Sequence, residues 1–77
     1  MIKVLLFAHL QEQIGSSHIT IKESFSNVKE IKEYLINKYN LPHLNGVMVA
    51  KNEEYAFDDT KVNSGDVIAF IPPVSGG

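Results

Sequence analysis

Residues 67–71 read VIAFI, and all five side chains are apolar. A strand that is apolar on both faces is typical of the middle of a sheet. Residues 2–8, IKVLLFA, show the same property near the other terminus, with Lys3 as the single polar residue. We therefore predict that the first and last strands are both central and lie parallel, side by side.

Further strands are indicated between these two. Residues 18–22 alternate between apolar and polar side chains and are rich in β-branched residues, which predicts a second strand. Residues 13–17 predict the turn that joins it to the first strand in a hairpin. Residues 47–51 predict a third strand, and residues 55–57 a short fourth strand, with a turn over residues 52–54 between them.

One helix is predicted, and it begins at Asn27. The Asn27 side chain can accept a hydrogen bond from the backbone of Glu30, and Glu30 can reach back, as in a capping box. Asn40 suits a left-handed C-cap, and Pro42 prevents continuation. The apolar residues fall at helical spacing, with charged residues between them, which predicts an amphipathic helix of about three turns: Val28, Ile31, Leu35 and Tyr39, separated by Lys29, Glu30, Lys32 and Glu33.

These elements predict an α+β fold. The expected architecture is a mixed sheet of four to five strands with one main helix packed on one face. This is the β-grasp, or ubiquitin-like, arrangement. We expect residues 1–73 to form the domain and residues 74–77 to form a flexible tail that ends in two glycines.

The composition excludes several classes of function. The 77-residue sequence has no cysteine, so disulfides and thiolate metal sites are excluded, and its three histidines are too scattered to predict a metal site. It has no arginine and a net charge of −2, which argues against nucleic acid as a partner. Its apolar runs are too short to cross a membrane. We therefore expect a cytoplasmic protein that binds no metal.

The sequence offers few groups for conventional catalysis. The carboxylate pairs Glu53-Glu54 and Asp58-Asp59 fall in predicted turns, where acidic residues usually serve solubility and turn chemistry. The unusual feature is the segment after the last strand. Pro72 and Pro73 favour a stiff, extended exit, whereas Gly76 and Gly77 carry no side chain. Such a tail can thread a narrow channel and present its carboxylate to another protein, although frayed termini also collect small residues.

Several motifs carry a resemblance to a known family. They are residues 2–8, then Glu12 and Gly15, Asn52 in the predicted hairpin, Gly65-Asp66 before the last strand, and above all the block AFIPPVSGG at residues 69–77. With these motifs the chain resembles, over essentially all of its length, the small subunit of molybdopterin synthase, a ubiquitin-like sulfur carrier of molybdenum cofactor biosynthesis. Two positions depart from the family pattern: Gln11 stands where arginine is common, and Val67 where glutamate is frequent.

The resemblance implies a mechanism centred on Gly77. An adenylating enzyme of the ubiquitin-activating type would use ATP to adenylate Gly77, and sulfur transfer would then give a C-terminal thiocarboxylate. The thiocarboxylate would donate its sulfur to cyclic pyranopterin monophosphate inside the large synthase subunit, building the dithiolene of molybdopterin. Val74, Ser75 and Gly76 would thread the channel. This chain would bind no cofactor and would be a non-catalytic co-substrate.

The resemblance also implies a partner surface. It maps the apolar contact patch of the family onto Phe7, Tyr55 and Ile71, and it implies a heterotetramer of two small and two large subunits. The residues support an exposed apolar face independently. Two faces of the sheet are apolar, but only one helix is predicted to cover them, and an uncovered apolar face marks a partner surface.

Three alternatives stay open at this point. A sulfur carrier of the thiamin pathway shares the fold and the Gly-Gly terminus, but it is generally shorter and lacks the Pro-Pro-Val-Ser block. A ubiquitin-like modifier would instead form amide bonds to lysines. A plain binding module would carry the two glycines incidentally.

Overall fold

The computed structural model describes residues 1–41 and 44–72. No helix in that part of the chain is long and apolar enough to cross a membrane. A 3₁₀ turn over Leu44–Gly46 precedes the third strand. The remaining elements follow in the order β1 Ile2–Leu6, α1 Ala8–Ile14, β2 His18–Ile21, α2 Val28–Tyr39, β3 Met48–Lys51, β4 Glu54–Ala56 and β5 Val67–Ile71.

The five strands form one mixed sheet in the order β2-β1-β5-β3-β4. β1 and β5 are parallel, whereas the other three neighbouring pairs are antiparallel. The prediction that the first and last strands are central and parallel is therefore confirmed. The α+β class and the β-grasp arrangement are confirmed as well, with the sheet at the upper end of the predicted strand count.

The prediction of a simple β1–β2 hairpin is wrong in its connection. The two strands do pair antiparallel, but the seven-residue helix α1 lies between them. The first strand accordingly stops at Leu6 instead of running to residue 8. Leu10 on α1 is fully buried, and Gly15 ends the helix in the left-handed conformation, with φ of 86°. Burial of Leu10 stabilises a helix that is too short to be stable alone.

Helix α2 has the caps that the sequence predicts, with one shift. The Asn27 side chain accepts a hydrogen bond from the Glu30 N–H at 3.0 Å. The Glu30 carboxylate in turn accepts from the N–H of Ser26, at 2.6 Å, one residue before the position expected in a capping box. Asn40 is left-handed, with φ of 58°, and its N–H donates to the Ile36 carbonyl.

The face of α2 that packs on the sheet includes an unexpected charge. Val28, Ile31 and Leu35 are completely buried, as their spacing predicts. Lys32, predicted to lie on the polar side, is only 6% exposed. Its ammonium donates to the Asp58 carboxylate at 2.7 Å. The apolar stem of lysine can be buried while its charge is paired, and sequence periodicity does not reveal the partner.

The predicted boundaries of the β3–β4 hairpin are also corrected. β3 begins at Met48 rather than residue 47, and β4 covers Glu54–Ala56 rather than residues 55–57. The turn has only two residues, Asn52 and Glu53, and both have positive φ, 51° and 73°. Two left-handed residues give the turn the twist that a two-residue hairpin favours.

Candidate docking face

The side of the sheet away from α2 is apolar, and strand register aligns its residues. Ile2, Val4 and Leu6 on β1 are buried in the core, so the alternating residues of this strand point to the opposite side. Across the sheet, the register places side by side Leu5, Ala69, Ala50 and Tyr55. One row of apolar side chains thus spans β1, β5, β3 and β4.

A second apolar group lies at the end of the sheet where β5 stops. Ile71 pairs with Met48, and Phe7 directly follows Leu6, whose partner on β5 is Phe70. Phe7 is 43% exposed and Met48 is 44% exposed. The chain therefore leaves the sheet after Ile71 between two partly exposed apolar side chains.

Together these residues line an open groove of about 750 Å³. Its shape follows from the sequence, because the small side chains of Ala50 and Ala69 lie between the larger Leu5 and Tyr55. Tyr55 is 75% exposed, although it is aromatic. We refer to this surface as the sheet-face groove; its lining is Leu5, Phe7, Met48, Ala50, Asn52, Glu53, Tyr55, Val67, Ala69 and Ile71.

A polar clamp fixes the hairpin turn against the start of β5. The Asn52 side-chain carbonyl accepts from the Val67 N–H at 2.9 Å, and its amide donates to the Asp66 carboxylate at 3.1 Å. The Asn63 N–H donates to the other Asp66 oxygen at 2.8 Å. The Asn63 hydrogen bond, followed by that from Asn52, holds the pKa of Asp66 below its usual value. One border of the groove is thereby rigid.

The structure brings Phe7, Tyr55 and Ile71 together in the sheet-face groove. Their role in binding a partner stays a prediction. The predicted reacting residue Gly77 and the tail residues Val74, Ser75 and Gly76 lie outside the described residues. So does the predicted domain boundary after residue 73.

The sequence did not predict every residue that lines the groove, nor the surroundings of the acidic residues Glu53 and Asp58. Met48, Ala50 and Ala69 also line the groove, and period-two alternation in residues 47–51 and 67–71 was the available signal. Glu53 lies at the border of the groove, and Asp58 is paired with Lys32. In the ranges 1–41 and 44–72, no group of three histidine, aspartate or glutamate residues is placed to hold a metal ion.

Comparison with known proteins assigns the chain to a family. The model of the ThiS family matches residues 4–77. The molybdopterin synthase sulfur carrier subunit of Arabidopsis thaliana is 40% identical over 79 residues, which cover 99% of this chain and 82% of that protein. The protein of the same name from Haemophilus influenzae is 36% identical over 81 residues and is matched over the full length of both chains.

Solved structures share the fold. SAMP1 from Haloferax volcanii is 25% identical with a TM-score of 0.85, and the match covers 99% of this chain and 98% of that chain. A complex of subunits 1 and 2 of the molybdopterin-converting factor from Helicobacter pylori contains a chain that is 29% identical, with a TM-score of 0.70 and coverage of 99% and 97%. The resemblance found in the sequence motifs is thus confirmed. The chain belongs to the ThiS family and is homologous over its whole length to molybdopterin synthase sulfur carrier subunits.

Proposed function

We propose that this chain is the sulfur carrier of molybdopterin synthesis and that its reacting group is the carboxylate of Gly77. The observation that carries the proposal is the full-length homology to molybdopterin synthase sulfur carrier subunits at 31–40% identity. The sequence block at residues 69–77 supports the same assignment, because it joins the central strand directly to Pro-Pro-Val-Ser-Gly-Gly.

The proposed chemistry consists of adenylation of Gly77, transfer of sulfur to it and donation of that sulfur to the pterin. The Gly77 carboxylate attacks the α-phosphorus of ATP, which forms an acyl adenylate and releases pyrophosphate. Hydrosulfide, or a donor that delivers its equivalent, then displaces AMP, so that a C–S bond replaces the C–O bond to the phosphate and Gly77 becomes a thiocarboxylate. The thiocarboxylate sulfur attacks a carbon of cyclic pyranopterin monophosphate and displaces the oxygen substituent of that carbon, so that a C–S bond replaces a C–O bond. Water then cleaves the resulting thioester and regenerates the carboxylate. Two sulfurs make one dithiolene, so two charged carriers are consumed for each product.

The catalytic groups of this scheme belong to the partners. ATP is bound by the adenylating enzyme, and the large synthase subunit supplies the groups that act on the pterin. The chain itself binds no cofactor, works in the cytoplasm and functions in a heterotetramer of two small and two large subunits. The contribution of this chain is to dock and to place the Gly77 carbon about 3–3.5 Å from its reaction partner, with an error of no more than about an ångström.

The sheet-face groove is the surface that we assign to docking. It is apolar apart from Asn52 and Glu53, and contiguous exposed apolar surface of this kind marks sites of protein association. The Helicobacter pylori relative was solved as a complex of subunits 1 and 2, which supports a large-subunit partner here. The groove also borders the end of β5, so a protein bound there lies beside Ile71, from which the chain continues toward Gly77.

The alternative functions are not favoured. The full-length relatives named above are molybdopterin synthase subunits rather than thiamin-pathway carriers. Small archaeal modifier proteins share the fold at 22–25% identity, and a shared fold alone does not establish protein conjugation.

Reconstitution with the adenylating enzyme, ATP and a sulfur donor tests the role of Gly77. Intact-mass spectrometry should show one oxygen-to-sulfur exchange in the wild-type chain and none after deletion of Gly77. Gly77→Ala should form less thiocarboxylate if the channel admits no Cβ. Gly46→Ala is the matched control, because a Cβ at Gly46 meets no atom within 4 Å and the backbone there is not left-handed. A Gly77-deleted chain that still supports dithiolene formation would refute the proposal.

Docking is tested separately with Phe7→Asp. Phe7 is 43% exposed, so the fold should survive the substitution. Affinity for the large subunit should fall about thirtyfold or more, because truncation of an aromatic hot spot typically costs about 2 kcal/mol or more. Calorimetric titration measures the affinity, and a thermal melt checks the fold. Unchanged affinity in a folded variant would remove Phe7 from the docking surface.

A further inference from the structure

Phe57 is an exposed aromatic residue that the sheet-face groove does not include. It follows β4 directly, at the edge of the sheet, and is 72% exposed. Neither the family resemblance nor the tail chemistry gives it a role. Single exposed apolar residues are common, so exposure alone decides nothing, and the surroundings of Phe57 have to carry the argument.

The loop that carries Phe57 is rigidly held. The Phe57 N–H donates to the Thr60 hydroxyl at 2.8 Å, and the Thr60 N–H donates back to the Phe57 carbonyl at 3.0 Å. The first turn of α2 donates to the same loop, from the Val28 N–H to the Thr60 carbonyl at 3.1 Å and from the Lys29 N–H to the Asp58 carbonyl at 2.9 Å. These hydrogen bonds fix the backbone of the loop, including that of Phe57, which lowers the backbone entropy lost when a partner binds.

The surface around Phe57 is continuous with the sheet-face groove. Phe57 borders an open depression of about 680 Å³ at the β4 edge, and Met48 and Tyr55 line both this depression and the groove. We call this second surface the edge depression; its side walls include Lys32, Met48, Tyr55, Phe57, Asp58 and Asp59. A protein that covers Met48 and Tyr55 in the groove thus reaches Phe57 without a gap.

The charge at the border of the edge depression is negative. Lys32 neutralises Asp58 through the 2.7 Å ion pair. Among the described residues, no hydrogen bond or ion pair engages the carboxylate of Asp59, which is exposed. The surface therefore combines an exposed aromatic ring with one unbalanced carboxylate, which is complementary to an apolar side chain beside a lysine or arginine.

We propose that the protein that docks on the sheet-face groove continues around strand β4 and covers the edge depression, with an apolar side chain on Phe57 and a cationic side chain beside Asp59. This inference rests on the proposed function, which makes that protein the large synthase subunit. The edge depression then adds affinity and selects partners by charge, because a partner with an acidic residue at that position is repelled by Asp59.

Calorimetric titration of the full chain with the large subunit tests this at two positions. Phe57→Ser should raise the dissociation constant roughly tenfold, because it removes an aromatic anchor. The melting temperature should stay within a few degrees of wild type. Asp59→Asn should raise the dissociation constant about threefold at low salt. The increase should be smaller at high salt, because salt screens exposed ion pairs. Glu33→Gln, which removes an exposed carboxylate from α2, is the matched control and should leave the dissociation constant unchanged.

The outcomes separate this inference from the proposed function. If the wild-type chain binds and Phe7→Asp does not, but Phe57→Ser and Asp59→Asn both stay within about twofold of wild type, the edge depression is not part of the interface and the inference alone is overturned. If sedimentation shows that Phe57→Ser abolishes self-association without changing affinity for the large subunit, the surface serves a second copy of the chain and the inference is again overturned. If the wild-type chain does not bind the large subunit, both proposals fail.

Discussion

We expect the two partners of the Lys32–Asp58 ion pair to differ in how much their removal destabilises the fold. The Lys32 side chain is 8% exposed, whereas that of Asp58 is 59% exposed. Asp58→Ala leaves the buried ammonium without its acceptor, but the backbone carbonyl of residue 58 still accepts from Lys29. Lys32→Met keeps an apolar stem of similar length and removes the charge. The two variants break the same contact, yet only the first leaves a buried charge unpaired.

The magnitude follows from that difference. Loss of a hydrogen bond to a charged group costs about 1.5–3 kcal/mol. Because Asp58 is 59% exposed, we expect Asp58→Ala to lower the free energy of unfolding by about 2 kcal/mol, in the lower half of that range. Lys32→Met should change the free energy of unfolding by less than about 1 kcal/mol, since apolar replacement of a buried charge is often neutral. In a domain of this size, about 2 kcal/mol corresponds to a drop in melting temperature of roughly 8–16 °C.

A double-mutant cycle read by urea unfolding provides the assay. The double variant Lys32→Met/Asp58→Ala should be more stable than Asp58→Ala alone, because it carries no unpaired buried charge. The reasoning is refuted if Asp58→Ala melts like the wild type, or if adding Lys32→Met to it gives no recovery. Glu33→Gln, on the exposed side of α2, controls for the general effect of changing the charge of the helix.

Three further predictions concern stability. Leu35→Ala should lower the free energy of unfolding by about 2–5 kcal/mol, because Leu35 is completely buried, and an unchanged melting temperature would contradict the packing of α2. Glu53→Gly should raise it by about 1 kcal/mol, because φ of 73° is strained for glutamate, and a less stable variant in urea unfolding would show that the turn is not strained. Asp66 has a lowered folded-state pKa, so its contribution is fully present above the unfolded pKa, about 3.9, and is lost as pH falls through the folded value. The stability gap between wild type and Asp66→Asn should therefore be present at neutral pH and shrink in acid, and a gap that is the same at both pH values would exclude this role of the Asp66 hydrogen bonds.

The parts of the fold that sequence predicts are those with strong local signals. The centrality of β1 and β5 follows from their unbroken apolar runs, and the bounds of α2 follow from Asn27 and Asn40, which both act as caps. Helix α1 lacks such signals. It has no side-chain N-cap, and its one fully buried residue, Leu10, is stabilised by tertiary packing that a local pattern does not encode.

The residues of the candidate site also divide into those with a local sequence signal and those that depend on tertiary contacts. Ile71 is recognisable because it alternates with core residues on β5, and Phe7 because it directly follows the buried Leu6 at the end of β1. The inclusion of Met48 depends on its cross-strand pairing with Ile71, and the burial of Lys32 depends on Asp58, which is distant in sequence. Both are long-range properties, so they appear only once the strands and the loop are placed.

The pairing of β5 has a mechanical consequence for a carrier that is used repeatedly. The chain beyond Ile71 continues from β5, the strand in the middle of the sheet, which is hydrogen-bonded to β1 on one side and to β3 on the other. A pull along β5 loads two rows of hydrogen bonds in shear, whereas a pull along an edge strand such as β4 would load a single row. Force applied along the chain beyond Ile71 is therefore shared by the two neighbouring strands, so it moves the domain as a unit and leaves β5 paired in the sheet.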